Sequence, residues 1–247
     1  MDVIKNILGR ILACWAILVF VLSMLLIIPA AWLTRYIKTE PRRSAVFINV
    51  SRIWMKIFFV LIGVRRIFTG REHFKKGENF IIVCNHNSFM DVPLTSPGIP
   101  GPNKTIAKDE MAKIPVFNII YKGGSVLLNR KSEASRKASY LKMKEVLRLG
   151  MHMVIFAEGT RNRTREPLQR FHDGAFKLAV DTKKPILPTV IFYTEKVLPN
   201  NKKFFFWPHR VEMHHLQPVP VTENETSEEL KNKVHEIMRK FIVENKR

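Results

Sequence analysis

The sequence predicts an α/β fold: a mixed or mostly parallel sheet flanked by helices, preceded by a membrane-associated helical pair. Beyond Val64, short apolar runs recur with amphipathic or polar segments between them, the alternation of strand and helix signals that an α/β layer fold requires. Two of those runs, Ile81-Ile82-Val83-Cys84 and Met153-Val154-Ile155-Phe156, lead directly into polar blocks, as buried strands do at one edge of a sheet. Ahead of Val64 the chain is apolar over stretches too long for a strand.

The N-terminal stretch from Ile11 to Leu33 carries no charge and is long enough to cross a bilayer. It contains Trp15 and Trp32 and is followed by Arg35 without a small-residue cleavage site, which argues against a signal peptide. A second, shorter apolar patch runs from Ile53 to Ile62 and contains Lys56, with Arg35, Lys38, Arg42 and Arg43 between the two. Two topologies satisfy this pattern. The first helix spans, with the basic cluster holding the rest on the cytoplasmic side, or Pro29 and the second segment make a helical pair that dips into one leaflet and returns.

Strands are expected at Phe80–Cys84, Thr105–Ala107, Ser125–Leu128, Met153–Phe156 and Ile186–Tyr193, and a late strand near an edge at Arg210–Leu216. A helix is expected from Ser132 to Leu149, where Tyr140, Met143 and Leu147 share a face and Gly150 stands as C-cap. A capping box from Thr226 to Glu229 opens a last helix over Glu228–Val243.

Composition narrows the partners. The 247 residues carry 41 Lys+Arg against 21 Asp+Glu, a formal charge of +20, and such an excess must face something negative. With a bilayer-length apolar segment beside it, an anionic lipid surface explains the charge best. The aromatic–basic interleaving of Lys202-Lys203-Phe204-Phe205-Phe206-Trp207 is isolated, so no nucleic-acid partner is expected. Cys14 and Cys84, the two cysteines, both lie in apolar runs and read as small buried hydrophobes without a disulfide.

The polar blocks carry the chemistry. In Asn85-His86-Asn87-Ser88-Phe89-Met90-Asp91, His86 follows a strand and Asp91 can reach it only if a turn intervenes. If Ser88 N-caps a helix, Asp91 falls in its first turn, either orienting the His86 ring or acting as the capping-box partner of Ser88. Ser88 lacks a Gly-x-Ser-x-Gly elbow and is a poor nucleophile candidate; no Gly-x-Gly-x-x-Gly or Walker loop appears, and nothing supplies zinc ligands, so neither cofactor nor metal is expected. The second block, Phe156-Ala157-Glu158-Gly159-Thr160-Arg161, offers a glycine turn and a fixed cation. Lys108, Arg130 and Arg161 each follow a strand-like run, and strand ends on one sheet edge converge. The combination suggests proton abstraction beside a bound anion.

On these residues the sequence resembles the glycerolipid acyltransferase family, in particular its bacterial 1-acyl-glycerol-3-phosphate acyltransferases. The N-H-x-S-x-x-D motif is met by Asn85 to Asp91. Gly124 and Arg130 match a second motif, with Asn129 where the family carries an acidic residue. F-P-E-G-T-R appears as Phe156 to Arg161 with Ala157 for proline, and a proline-flanked fourth motif as Pro185-Ile186-Leu187-Pro188. A Lys-x-Glu segment leading into Ile-Pro is similar to Lys108-Asp109-Glu110 and Ile114-Pro115. The resemblance spans roughly Phe80 to Val190.

It implies acyl transfer from an acyl carrier protein or coenzyme A thioester to the sn-2 hydroxyl of lysophosphatidate, with His86 as base and Asp91 orienting it. It implies that Arg161, with Arg130 and Lys108, holds the acceptor phosphate, that Gly159 and Thr160 let the backbone approach the ligand, and that Glu158 holds an arginine. On this reading residues 1–63 anchor the chain at the cytoplasmic face of the inner membrane and residues 64–247 form the acyltransferase domain.

Overall fold

In a computed structural model, which describes residues 2–164 and 166–245, the chain forms seven strands and eight α-helices. The strands are β1 (Arg66–Thr69), β2 (Ile81–Cys84), β3 (Asn103–Lys108), β4 (Ser125–Leu128), β5 (His152–Phe156), β6 (Ile186–Phe192) and β7 (Val211–His215). They make one sheet in the order β1-β7-β6-β2-β5-β3-β4. Neighbours from β6 through β4 pair parallel, β7 pairs antiparallel with β6, and β1 lies parallel to β7. The mostly parallel sheet expected from sequence is what forms. β2 and β6 are buried along their whole length, which is why they read as apolar runs, broken only by Thr189.

The helices are α1 (Asp2–Leu33), α2 (Arg42–Leu61), α3 (Asp91–Gly98), α4 (Phe117–Gly124), α5 (Glu133–Arg148), α6 (Gly174–Thr182), α7 (Thr194–Val197) and α8 (Ser227–Asn245). Local chemistry fixes their ends. Ser132 caps α5 by accepting the Ser135 N–H, and Gly150 at φ +75° closes it with Gly150 N–H to Leu147 O and Met151 N–H to Val146 O, a Schellman pair. α8 opens with the reciprocal bonds of the expected box: Thr226 N–H donates to Glu229 Oε2 and Glu229 N–H to Thr226 Oγ1.

Two hydrophobic layers sandwich the sheet. One joins α5, α6 and α8 to Ile81, Val83, Met153 and Ile155; the other joins the opposite-facing Ile82, Cys84 and Val154 to α1 and α2. Ala13, Ala16, Val19 and Met24 of α1 belong to this second layer, so the N-terminal helices share a core with the sheet. α1 and α2 pack along each other, with Trp15 Nε1–H donating to Leu61 O and Trp54 Nε1–H to Ser23 Oγ. At the start of α1, Gly9 is required: a Cβ there would meet the Phe205 ring at 2.1 Å, and the Phe206 N–H bonds the Gly9 carbonyl. Both helices are long and apolar enough to cross a membrane, and their outer faces expose Ile11, Leu22, Leu26, Ile53 and Val60.

Three expectations change. The first helix starts well before Ile11, and the second absorbs Arg42 and Arg43 from the basic stretch. Cys84 is buried, and burial pushes its thiol pKa up, but Cys14 is exposed on the outer face of α1 rather than buried. An apolar run does not reveal which face of its helix turns inward.

Two histidines lie buried, His152 opening β5 and His215 closing β7. Phe80 N–H donates to His152 Nδ1, and His215 Nδ1 pairs with Thr189 Oγ1. Burial lowers both pKa values from 6.5 to about 4. Their folded values lie below the unfolded ones, so their stabilisation is present above pH 6.5 and lost as pH falls toward 4. The loss is of order 3 kcal/mol per group at full titration. Denaturant midpoints measured from pH 7.5 to 5 should fall, and His152→Asn, which keeps an acceptor for the Phe80 N–H, should flatten that slope. An unchanged slope would contradict this origin.

Candidate active site

β2, β5, β3 and β4 run parallel, so the segments after them meet at one edge. At the end of β2, Asn85 extends the ladder with its side chain: Oδ1 accepts from Ile191 N–H and Nδ2 donates to Ile191 O. This aims the next residue, His86, out of the sheet. The His86 main chain is then clamped to the loop after β5. Its N–H donates to Glu158 Oε1 at 2.7 Å, and its carbonyl accepts the Asn162 N–H at 2.6 Å.

The chain turns at Ser88, and Asp91 begins α3 fully buried. His86 Nδ1 lies 2.7 Å from Asp91 Oδ2, which also accepts the Asn87 and Ser88 N–H groups at 2.7 and 2.8 Å. Asp91 therefore holds the imidazole and also takes the Ser88 N–H as a capping-box carboxylate would, but Ser88 is not the N-cap expected: Met90 holds that position without a side-chain bond, and the Asp91 N–H goes to the Ser88 carbonyl. Thr194 Oγ1–H donates to the other oxygen, Oδ1. A carboxylate ringed by donors keeps the proton on Nδ1 of a neutral His86 and leaves Nε2 as the basic nitrogen. The ring rests on Phe156, with centroids 4.5 Å apart. Ser88 is no nucleophile here, since its buried hydroxyl donates to Leu198 O.

Glu158 is buried, and its two oxygens take the N–H groups of His86 and Gln169. The expected partnership with an arginine is therefore corrected: the carboxylate is a brace between main-chain segments. Burial pushes its pKa up to about 7 against the pull of those N–H groups. Its contribution to stability runs opposite to that of the buried histidines, complete below about pH 4.5 and lost as pH rises through 7.

The cations divide. Arg161 lies with its guanidinium 3.7 Å above the exposed Phe89 ring, and its Nη1 donates to Asn200 Oδ1 at 3.0 Å. Asn200 in turn donates to Asn87 O, which ties Arg161 to the His86 loop. Arg130 reaches the same place from β4: a Cβ on Gly159 would meet its Nη1 at 3.0 Å and His172 at 2.6 Å. Gly159, at φ +69°, is thus required by both backbone and space. Lys108 ends β3 on the same edge, and both Lys108 and Thr160 are exposed; the hydrogen bonds of the His86 and Asp91 side chains go to one another and to Asn87, Ser88 and Thr194. Asn129, left without a role, accepts the Lys131 N–H and shapes the turn that contains Arg130.

Thr194, Asn162 and Asn200 were missed from sequence. They are joined to His86 and Asp91 only through the fold, although Thr194 follows an expected strand directly.

A histidine and an arginine thus follow adjacent parallel strands at one sheet edge, and comparison with known proteins gives the class of protein that carries them. A family model described as Acyltransferase matches residues 65–192, and the chain belongs to that family. A 1-acyl-sn-glycerol-3-phosphate acyltransferase of Borreliella burgdorferi is 34% identical over 62% of this chain and 61% of its own length. The human 1-acyl-sn-glycerol-3-phosphate acyltransferase beta is 30% identical over 70% of this chain and 63% of its own length. The chain thus matches under two thirds of each relative. The crystal structure of the 1-acyl-sn-glycerophosphate (LPA) acyltransferase PlsC from Thermotoga maritima superposes with a TM-score of 0.81 at 25% identity, covering 99% of this chain and 97% of that one.

Proposed function

We propose that this chain transfers a fatty acyl group from an acyl thioester to the sn-2 hydroxyl of 1-acyl-glycerol 3-phosphate, forming phosphatidate. The observation that carries the reading is the His86 ring fixed by Asp91 beside the loop-borne Arg161. His86 Nε2 takes the hydroxyl proton as that oxygen attacks the thioester carbonyl, and Asp91 stabilises the imidazolium that results. Collapse of the tetrahedral adduct breaks the carbon–sulfur bond, and the departing thiolate receives the proton back from His86. No acyl-enzyme forms. Arg161, aided by Arg130 and Lys108, binds the acceptor phosphate and so holds the hydroxyl over His86.

The names of the relatives support lysophosphatidate as acceptor, and so does the surface beside the site. α2 packs against α3, whose first residue is Asp91, and Phe89 and Val92 at the start of α3 are exposed apolar side chains, as are residues on the outer faces of α1 and α2. On this reading residues 1–63 are a leaflet-embedded anchor on the cytoplasmic face of the inner membrane. An embedded pair fits better than a spanning helix because the inner face of α1 is committed to the core of the sheet. The acceptor keeps its chain in lipid while a coenzyme A or acyl carrier protein thioester arrives from the aqueous side.

Replacing Arg161 tests the phosphate role. Arg161→Ala should raise the KM for lysophosphatidate strongly and lower kcat less, while Arg161→Lys should rescue only in part because an ammonium lacks the bidentate fork. Wild-type kinetics for Arg161→Ala would move the phosphate to Arg130 or Lys108.

A further inference from the structure

A second cationic cavity lies away from the His86 edge, where the end of α1 and the start of α2 meet β3 and α4. It encloses about 400 Å³ and is lined by Arg35, Arg43, Lys104 and Lys122, with Trp32 and Gly123 among its walls. Lys104 is the second residue of the strand that Lys108 closes, about 13 Å away along an extended chain, so this cavity is not the acceptor phosphate site. Gly123 shapes it: a Cβ there would strike the Phe47 ring at 2.5 Å, and the Gly123 carbonyl accepts from Lys104 Nζ at 3.1 Å.

The charges inside do not balance. Lys104 is half-buried, and burial lowers its pKa, yet its ammonium has two further hydrogens to place. Glu40 is the carboxylate that faces it, but Oε1 is already held by the Arg43 fork and Oε2 by the Ser44 N–H. Lys122 and Arg35 are exposed cations beyond that pair, Arg35 lying 5.5 Å over the Trp32 ring. A pocket built this way is short of one multivalent anion with several acceptor oxygens.

The surroundings say which anion. Leu22, Leu25 and Leu26 of α1 are exposed apolar side chains, and the Trp32 and Tyr36 rings meet edge-on at 5.2 Å beyond them. Such a sequence of apolar and then aromatic side chains marks the level where acyl chains give way to headgroups. We propose that this cavity binds the phosphate of an anionic phospholipid and pins the α1–α2 turn to the headgroup layer. The inference rests on membrane attachment but not on the catalytic assignment.

The test uses the full chain in non-ionic detergent micelles, titrated calorimetrically with dihexanoyl phosphatidylglycerol, dihexanoyl phosphatidylcholine and coenzyme A in separate runs. Saturable binding of the phosphatidylglycerol is expected. It should weaken about tenfold or more in Lys104→Gln/Lys122→Gln, and also in Arg35→Gln/Lys122→Gln, whose residues are exposed and put folding at no risk. Lys137→Gln/Lys142→Gln on α5 removes as much charge elsewhere and should change nothing. Unchanged phosphatidylglycerol affinity in both cavity variants would overturn the proposal, as would equal binding of phosphatidylcholine. Loss of coenzyme A binding with lipid binding intact would overturn it as well, reassigning the cavity to the phosphates of the acyl donor.

Discussion

Replacing His86 by alanine should lower acyl transfer by roughly 10²–10⁴-fold while leaving the protein folded. Folding survives because the contacts that close this edge use the His86 main chain, N–H to Glu158 and carbonyl from Asn162, and alanine keeps both. What disappears is the ring between Asp91 and the acceptor hydroxyl. Turnover on lysophosphatidate, measured beside the thermal midpoint, checks this. Near-normal turnover with intact membrane association would remove His86 from proton transfer.

The second large effect is expected at Asp91. Its Oδ2 accepts three N–H donors, two of them main-chain groups that cannot turn away. In Asp91→Asn the amide oxygen must therefore occupy that position, with the NH₂ turned toward Thr194, whose hydroxyl can rotate to accept. The His86 tautomer is kept, and the charge that stabilises the imidazolium is lost. The loss should fall on kcat, by about 10²-fold, with the KM for lysophosphatidate little changed. Asp91→Ala is worse in a different way: it strands buried N–H groups at a cost of about 1–3 kcal/mol each, so its thermal midpoint should drop as well. A rise in KM with kcat intact for Asp91→Asn would contradict the role given to the Asp91 charge. Thr194→Val, which removes one donor to the same carboxylate, should show a weaker form of the Asn phenotype, and Thr194→Ser should restore it.

The parallel middle of the sheet was legible because β2, β5 and β6 are almost wholly buried and their sequences are apolar apart from His152 and Thr189. Polar residues directly after such strands must emerge at one edge, and this located His86, Glu158 and Arg161. Capping chemistry is local, so the ends of α5 and α8 were legible too. β1 was not. Arg66–Thr69 is a short, half-buried edge strand, and what makes it a strand is its pairing with β7, more than half the chain away. Glu158 was misjudged for a similar reason: a carboxylate among arginines reads as an ion-pair partner, whereas main-chain N–H groups that seek an acceptor leave no trace in the sequence. Thr194 comes from the start of α7, and Asn162 and Asn200 from loops, and their residue types are common wherever a chain turns.

The central claim is best tested by acyl transfer with the purified full chain, offered lysophosphatidate, glycerol 3-phosphate and lysophosphatidylcholine in parallel with both coenzyme A and acyl carrier protein thioesters. The account predicts phosphatidate as the dominant product, formed by wild type and lost in His86→Ala. Preferential acylation of glycerol 3-phosphate or lysophosphatidylcholine, or phosphatidate formation that survives the loss of His86, would contradict it.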